Sequence, residues 1–124
     1  VRKIRDCYRE RRDTMLRAME EHFPPETSWT RPQGGLFLWA RLPQYIDTAE
    51  LLKIAVEEKV AFVPGHAFYP PGSDDGRCCM RLNFSYSAPP VIEEGIKRLG
   101  RAIKRQMEQA QADNLEVVRE RAAA

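Results

Sequence analysis

The sequence predicts an α+β domain in which a small, mostly antiparallel sheet of three or four strands carries helices on one face. Long segments at both ends of the chain repeat apolar residues at helical spacing. Between them lie short apolar or alternating runs that suit strands, separated by prolines and glycines. The predicted order is helix, strand, strand, helix, strand, strand, helix, which favours a two-layer domain.

The first predicted helix ends at Phe23, because Pro24 and Pro25 follow it and proline disfavours a helical residue before it. No capping residue or proline precedes its apolar stripe, so we expect it to be the end of a longer helix. Dense charge on its flanks is typical of a helix that connects two domains. The stripe contains Ile4, Tyr8, Met15, Met19 and Phe23.

Two strands are predicted next, over residues 28–31 and 36–42, with a turn between them. The second is an almost continuous apolar run, which predicts an inner strand covered on both faces. Asp47 and Glu50 then form a capping-box pattern that opens a helix ending at about Lys59.

The third strand is predicted over residues 60–63, and a loop rich in proline and glycine follows over 64–77. Loops of that length are usually functional or disordered. The fourth strand, over residues 80–86, alternates strictly between apolar and polar side chains. Its apolar members are Met80, Leu82, Phe84 and Tyr86, and its polar members are Arg81, Asn83 and Ser85.

A final helix opens at Pro89 and Pro90. Its apolar pattern fades after Gln111, so we expect the domain to occupy residues 1–112, with 113–124 as a frayed helix or tail. The stripe consists of Ile92, Ile96, Leu99, Ile103 and Met107.

Composition limits the function classes. The 124 residues are 43% hydrophobic and 31% charged, which is typical of one soluble globular domain. No apolar run approaches the ~20 residues of a membrane span, and from the charged N-terminus we expect no signal peptide. Mixed charges summing to +2 predict neither a nucleic-acid nor a membrane surface. Cys7, Cys78 and Cys79 lack disulfide or zinc spacing, so we expect all three to be buried in a cytoplasmic protein.

Arg81 is the most informative polar residue, since a guanidinium fixed in mid-strand matches the geometry of a carboxylate. Periodicity alone also allows an arginine on the solvated side of the sheet. Gly34 and Gly35 suit either close approach of a ligand or a tight turn. The sequence contains no phosphate-binding loop, dinucleotide-binding glycine motif or metal-ligand spacing. The chain therefore resembles part of a binding site that lacks a reaction centre.

Four segments together resemble the fold-type I, pyridoxal-phosphate-dependent aminotransferases of class I/II. Residues 32–39 (PQGGLFLW) resemble the start of their glycine-pair strand, and 60–68 (VAFVPGHAF) their strand and loop at the active-site mouth. Residues 81–85 (RLNFS) are similar to the strand whose arginine binds the substrate α-carboxylate, and 92–99 to the start of the C-terminal helix. The similarity is greatest to the branch that includes 2-aminoadipate, kynurenine and multi-substrate aminotransferases.

The resemblance implies a C-terminal small domain, with residues 1–23 as the end of the interdomain helix. In this family the Schiff-base lysine, the acidic partner of the pyridine nitrogen and the phosphate-binding residues belong to a large domain, which would precede Val1. The resemblance therefore implies no catalytic residue here, pyridoxal phosphate held by the large domain, and no activity for this fragment alone. None of its lysines has the family's Ser-x-x-Lys setting: Lys3, Lys53, Lys59, Lys97 and Lys104.

The resemblance also implies roles for five residues in substrate binding. Arg81 would pair with the α-carboxylate, and Gly35 would lie near the substrate through its backbone. Pro64 and Phe68 would help to wall the pocket, with Asn83 behind these contacts. The implied partners are an L-amino acid, a 2-oxo acid, the chain's own large domain and a second copy in a homodimer.

Without the surface of that large domain, we expect Met15, Met19 and Trp39 to need cover from outside the chain. The first helix would then pack on another copy or fray.

Two other hypotheses stay open at this point. The chain could be the effector domain of an aminotransferase-like transcription regulator, which would require a DNA-binding segment upstream. It could also be a free-standing α+β interaction module whose first helix docks a partner. Arg81 and the glycine pair favour the enzyme, because a sensor need not keep the geometry of a catalytic pocket.

Overall fold

The computed structural model describes residues 2–30, 37–83 and 87–123. The α+β class is confirmed, together with a four-stranded antiparallel sheet. In chain order the elements are α1 (Arg2–His22), β1 (Ser28–Trp29), β2 (Phe37–Arg41), α2 (Thr48–Glu57), β3 (Val63–Pro64), a 3₁₀ helix (Gly65–Phe68), β4 (Cys79–Asn83) and α3 (Pro89–Ala123).

The sheet has the strand order β1-β2-β4-β3, so β2 and β4 are its inner strands. The register pairs Arg81 of β4 with Trp39 of β2 on one side and with Val63 of β3 on the other. Directly paired residues project to the same face of an antiparallel sheet. Arg81 is therefore flanked by strands on both sides, with Trp39 and Val63 on its own face.

The core lies on the other face of the sheet. Alternate residues of the inner strands are buried there, namely Leu38, Ala40, Met80 and Leu82. They share one cluster with the apolar stripes of the three helices, as the 3.6-residue spacing predicted. The principal helical members are Met15, Met19, Phe23, Leu51, Ala55, Ile92, Ile96, Leu99 and Ile103.

The prediction that β2 is covered on both faces is wrong. Leu38 and Ala40 are fully buried, but Phe37 remains 41% exposed, Trp39 is half-buried and Arg41 is exposed. The apolar run concealed an ordinary alternation, because the residues on the uncovered face include large aromatics rather than polar side chains. We call this face the open face; its members include Phe37, Trp39, Arg41, Val63, Arg81 and Asn83, and of the residues in register with them Cys79 is fully buried.

The third strand is present, but it begins later than the predicted range of 60–63, because pairing starts only at Val63. The Val60 amide is used to close the end of α2 by donating to the Ala55 carbonyl at 2.9 Å. Lys59 adopts a φ of 65°, the left-handed conformation common just after a helix end. Pro64 is tolerated in this strand because β3 lies at the edge of the sheet, where a residue without an amide hydrogen does not interrupt the hydrogen bonds between inner strands.

The segment predicted as a loop over residues 64–77 contains the 3₁₀ helix Gly65–Phe68. β4 begins at Cys79, one residue earlier than predicted, and is described to Asn83. The rest of the predicted strand, residues 84–86, lies outside the described residues.

Helix α2 begins as the sequence indicates. The Asp47 carboxylate caps it by accepting from the Ala49 amide at 2.8 Å. The Glu50 carboxylate bonds to the Lys53 amine at 3.2 Å, three residues along the same helix. The cap is therefore confirmed, and Glu50 makes an ion pair on the helix surface.

Helix α1 packs against α3, so Met15 and Met19 are buried within the chain. The expectation that they need cover from outside is wrong. The two helices meet closely at Gly100, where a Cβ atom would lie 2.5 Å from the carbonyl oxygen of His22. Cys7 is exposed, contrary to prediction, whereas Cys78 and Cys79 are buried as expected.

Helix α3 continues without a break to Ala123, beyond the point where its apolar pattern fades. Its side chains from Gln111 onward are exposed, including Leu115, Val117 and Val118. Across the three described ranges, none of the helices has the length and apolar character that crossing a membrane requires.

Candidate functional site

Arg81 is the centre of the candidate site. It is half-buried on the open face, flanked in register by Trp39 and Val63. Because β4 is an inner strand, hydrogen bonds on both sides restrain the backbone from which the guanidinium projects. Burial of Met80 and Leu82 in the core fixes which face of β4 carries Arg81.

Two aromatic rings contact the Arg81 guanidinium. Its central carbon lies 4.0 Å from the centroid of the Phe37 ring and 4.7 Å from that of Phe68. Both distances are within the range of cation–π attraction. Trp39 meets the Phe68 ring edge-on, with centroids 5.5 Å apart, so the three rings and the guanidinium form one cluster.

Arg81 has no ion-pair partner among the residues that the structure describes. A guanidinium presents N–H groups in one plane, and this fork matches the two oxygens of a carboxylate. The surrounding aromatic rings are apolar. The arrangement is therefore suited to a carboxylate that belongs to an organic molecule.

Phe68 reaches the site because its 3₁₀ helix is held against the start of β4. A Cβ atom at Gly65 would collide with the Gly76 carbonyl oxygen, and it would lie 2.9 Å from the carbonyl oxygen of Cys79. Backbone therefore packs directly on backbone where this helix begins, and only glycine leaves the necessary space.

The structure brings together two of the five residues predicted to bind substrate, Arg81 and Phe68. Asn83 lies on the same face, two residues beyond Arg81, and is exposed. Gly35 lies outside the described residues.

Pro64 occupies a different position from the other predicted residues. It is paired in register with Met80, so it belongs to the core side of the sheet, whereas its neighbour Val63 is paired with Arg81. The residue of β3 that shares a face with Arg81 is thus Val63.

Sequence reasoning missed Phe37 and Trp39 as members of the site. The signal was present, because residues two apart in a strand share a face. Arg41, two residues beyond Trp39, indicated that this face of β2 is not core. The interpretation of the run as fully covered hid that alternation.

The described residues do not fit pyridoxal phosphate. A lysine that forms a Schiff base must lie in a site that also holds the cofactor's ring and phosphate. The described lysine side chains are instead exposed, and the Lys53 amine pairs with Glu50: Lys53, Lys59, Lys97 and Lys104. No reaction step is therefore assigned to these residues.

The described residues also offer neither a metal site nor, at Cys79, a reactive thiol. Across the described ranges, no group of three or more His, Cys, Asp or Glu side chains is placed to hold a metal ion. Burial, with a smaller contribution from the neighbouring Cys78, raises the pKa of the Cys79 thiol. A raised pKa keeps the thiol protonated near neutral pH and makes it a poor nucleophile.

Known proteins with similar sequences and structures identify the family of this chain. The family model for aminotransferase class I and II matches residues 1–99. Aromatic-amino-acid aminotransferase 1 of Thermococcus litoralis is 49% identical over 107 residues, covering 86% of this chain and 25% of that protein. A crystal structure of α-aminoadipate aminotransferase from Thermus thermophilus, complexed with N-(5'-phosphopyridoxyl)-L-leucine, is similar with a TM-score of 0.82 and 39% identity. This similarity covers 87% of the present chain and 27% of the Thermus thermophilus chain.

One relative belongs to a different functional class. The uncharacterized HTH-type transcriptional regulator YjiR of Escherichia coli is 30% identical over 108 residues, covering 87% of this chain and 23% of that protein. The chain thus spans about a quarter of the length of each of these relatives. The match over residues 1–99 contradicts the hypothesis of a module unrelated to any aminotransferase, and the chain belongs to the class I and II aminotransferase family.

Proposed function

We propose that this chain is the C-terminal, substrate-carboxylate-binding domain of a pyridoxal-phosphate-dependent aminotransferase. The observation that carries the proposal is the half-buried Arg81 guanidinium, which lies between aromatic side chains and has no acidic partner among the described residues. The whole protein would transfer an amino group from an L-amino acid to a 2-oxo acid. Both substrates carry the α-carboxylate that this arginine would bind.

On this proposal the role of the domain is recognition and orientation. The Arg81 guanidinium would donate hydrogen bonds to both oxygens of the α-carboxylate, which fixes the position and direction of the rest of the substrate. The rings of Phe37 and Phe68 would keep water from surrounding the ion pair, and a drier site strengthens the attraction between the charges. Asn83 would support these contacts from the adjacent position on the open face. Gly35 would lie near the substrate through its backbone. Pro64 would help to wall the pocket through its backbone, since its register places it on the core side of the sheet.

The remaining machinery would belong to other parts of the protein. The large domain would hold pyridoxal phosphate together with the Schiff-base lysine, so the present chain would not transaminate by itself. Residues 1–112 would form the small domain, with 1–23 leading from the large domain and 113–124 as a C-terminal extension. We further propose a cytoplasmic homodimer for the complete protein.

The second candidate function is the effector domain of a transcription regulator, which the similarity to YjiR favours. The same carboxylate site would then sense an amino acid without converting it. The two candidates share this domain and differ in whether a bound amino acid is turned over.

The visible absorption of the protein expressed from its complete reading frame distinguishes these functions. For an aminotransferase, L-glutamate should convert the bound cofactor's absorption to that of its amino form, and 2-oxoglutarate should reverse the change. A cofactor band that L-glutamate does not convert would favour the regulator. Absence of any cofactor band after reconstitution with pyridoxal phosphate would contradict both proposals.

A further inference from the structure

We propose that Phe37 and Phe68 are positioning residues that hold the Arg81 guanidinium ready for a carboxylate. This inference rests on the proposed function of Arg81. Phe37 and Phe68 would act through the arginine, and neither needs to contact the carboxylate itself.

The contacts that carry the inference come from two separate elements. Phe37 belongs to β2, and Phe68 ends the 3₁₀ helix that follows β3. Their ring centroids lie 4.0 and 4.7 Å from the central carbon of the guanidinium. A long arginine side chain loses much rotational freedom when it is fixed, and contacts made before binding reduce that loss at the moment of binding.

The rings themselves are held in place. Phe37 lies on an inner strand, with its backbone in register with Asn83. Phe68 meets the edge of Trp39, and its helix starts at the close contact between Gly65 and Gly76. Both rings can therefore restrain the arginine rather than follow its movements.

Aromatic contacts suit this role better than an acidic partner would. A ring attracts the guanidinium through its face without accepting the charge-assisted hydrogen bonds that a carboxylate needs. An acidic side chain would neutralise Arg81 and compete with the substrate. Phe37 and Phe68 are still 41% and 42% exposed, so each can be replaced with little loss of core packing.

The test uses the complete protein and two probes of the same shape, 3-phenylpropionate and its uncharged carboxamide. Dissociation constants are measured by calorimetry for Phe37→Leu and Phe68→Leu, with Phe37→Tyr and Phe68→Tyr as variants that keep a ring. We expect each leucine variant to weaken binding of the carboxylate about threefold to tenfold, as loss of one cation–π contact requires. The tyrosine variants should bind the carboxylate as the parent does, and the amide should bind equally to all of them.

A double-mutant cycle separates an effect through the arginine from a general effect on the pocket. In an Arg81→Leu background, adding Phe37→Leu should cause no further loss of carboxylate affinity. Val91→Ala, at an exposed residue of α3, serves as a control that should change neither probe.

The outcomes distinguish this inference from the proposed function. If Arg81→Leu weakens carboxylate binding but neither leucine variant does, the positioning role is wrong and the function stands. If the leucine variants weaken the carboxylate and the amide equally, the rings contact the ligand directly and the inference is also overturned. If Arg81→Leu leaves carboxylate binding unchanged, the proposed function itself fails.

Discussion

The guanidinium of Arg81 lies over the ring of Phe37 at 4.0 Å, although the two residues are not register partners. Arg81 is paired with Trp39, and Phe37 with Asn83, so the contact runs diagonally between β2 and β4. An arginine side chain is long enough to reach such a diagonal neighbour. The sheet register therefore determines which ring meets the charge, and the burial of Leu38 on the opposite face fixes that register.

Replacing Gly65 with alanine should destabilise the domain and disturb the site together. The added Cβ would collide with the backbone at Gly76, so the 3₁₀ helix that carries Phe68 would have to move. We expect a loss of about 1–3 kcal/mol in the free energy of unfolding, the range typical of overpacking.

Urea denaturation of the Gly65→Ala chain measures that loss. The matched control is Ala67→Ser, at an exposed position of the same 3₁₀ helix, which should stay within about 0.5 kcal/mol of the parent. Equal stability of both variants would show that the glycine contact does not hold the helix.

Gly95 and Gly100 lie on the same helix, α3, but replacing each with alanine should change the stability of the chain in opposite directions. Alanine favours a helix interior by about 1 kcal/mol over glycine. At Gly95 a Cβ would lie 3.9 Å from Val60, an ordinary contact, so Gly95→Ala should stabilise the chain. At Gly100 it would meet the His22 carbonyl oxygen at 2.5 Å, so Gly100→Ala should separate α1 from α3 and destabilise it.

Unfolding midpoints of the two variants in urea, compared with the parent, check this difference in sign. A stabilising effect at both positions would mean that α1 and α3 do not approach as closely at His22 as the structure has them.

The sequence was most informative where the hydrophobic period was clean. The strict alternation from Met80 correctly separated the core face of β4 from the face of Arg81, and the spacing from Ile92 identified the buried side of α3. Those patterns report burial directly, because each position faces either the core or the opposite side.

Prediction failed where large apolar side chains lie outside the core. Phe37 and Trp39 looked like core residues, although they lie on the face that carries Arg81. The contact of Phe68 with Arg81 depends on the path of a chain segment that has no periodic pattern. Val60 was misplaced because helix closure at Ala55 uses its amide, which local β-propensity does not indicate.

Replacing Lys59 with glycine should stabilise the chain. Its φ of 65° is a left-handed conformation that is costly for side chains other than glycine, and it follows directly on the end of α2. We expect Lys59→Gly to raise the free energy of unfolding by about 0.5–1 kcal/mol.

The control for Lys59→Gly is Lys53→Gly, which places the same substitution inside α2 and should lower stability by about 1 kcal/mol. Thermal unfolding of both variants gives the comparison. If both substitutions destabilise the chain alike, the left-handed conformation at Lys59 is not the one the protein adopts.

Thiol alkylation should distinguish the three cysteines. Cys7 is exposed, whereas Cys79 is fully buried and its pKa is raised by that burial. Only the thiolate reacts, so at pH 8 iodoacetamide should modify Cys7 long before Cys79. Because burial raises the pKa of the Cys79 thiol, its alkylation rate should go on rising with pH beyond the ordinary thiol value of about 8.5. Peptide mass spectrometry over time measures both rates, and similar rates at the two positions would contradict the burial of β4.

The most direct test of the account is the Michaelis constant of the complete protein for its amino-acid substrate after Arg81→Ala. Loss of a bidentate pair with the α-carboxylate should raise this constant about tenfold or more. Arg17→Ala, which removes an exposed arginine from α1, should leave it unchanged. If the Arg81→Ala enzyme kept the Michaelis constant of the parent, Arg81 would not be the carboxylate-binding residue, and the assignment of this domain's role would be wrong.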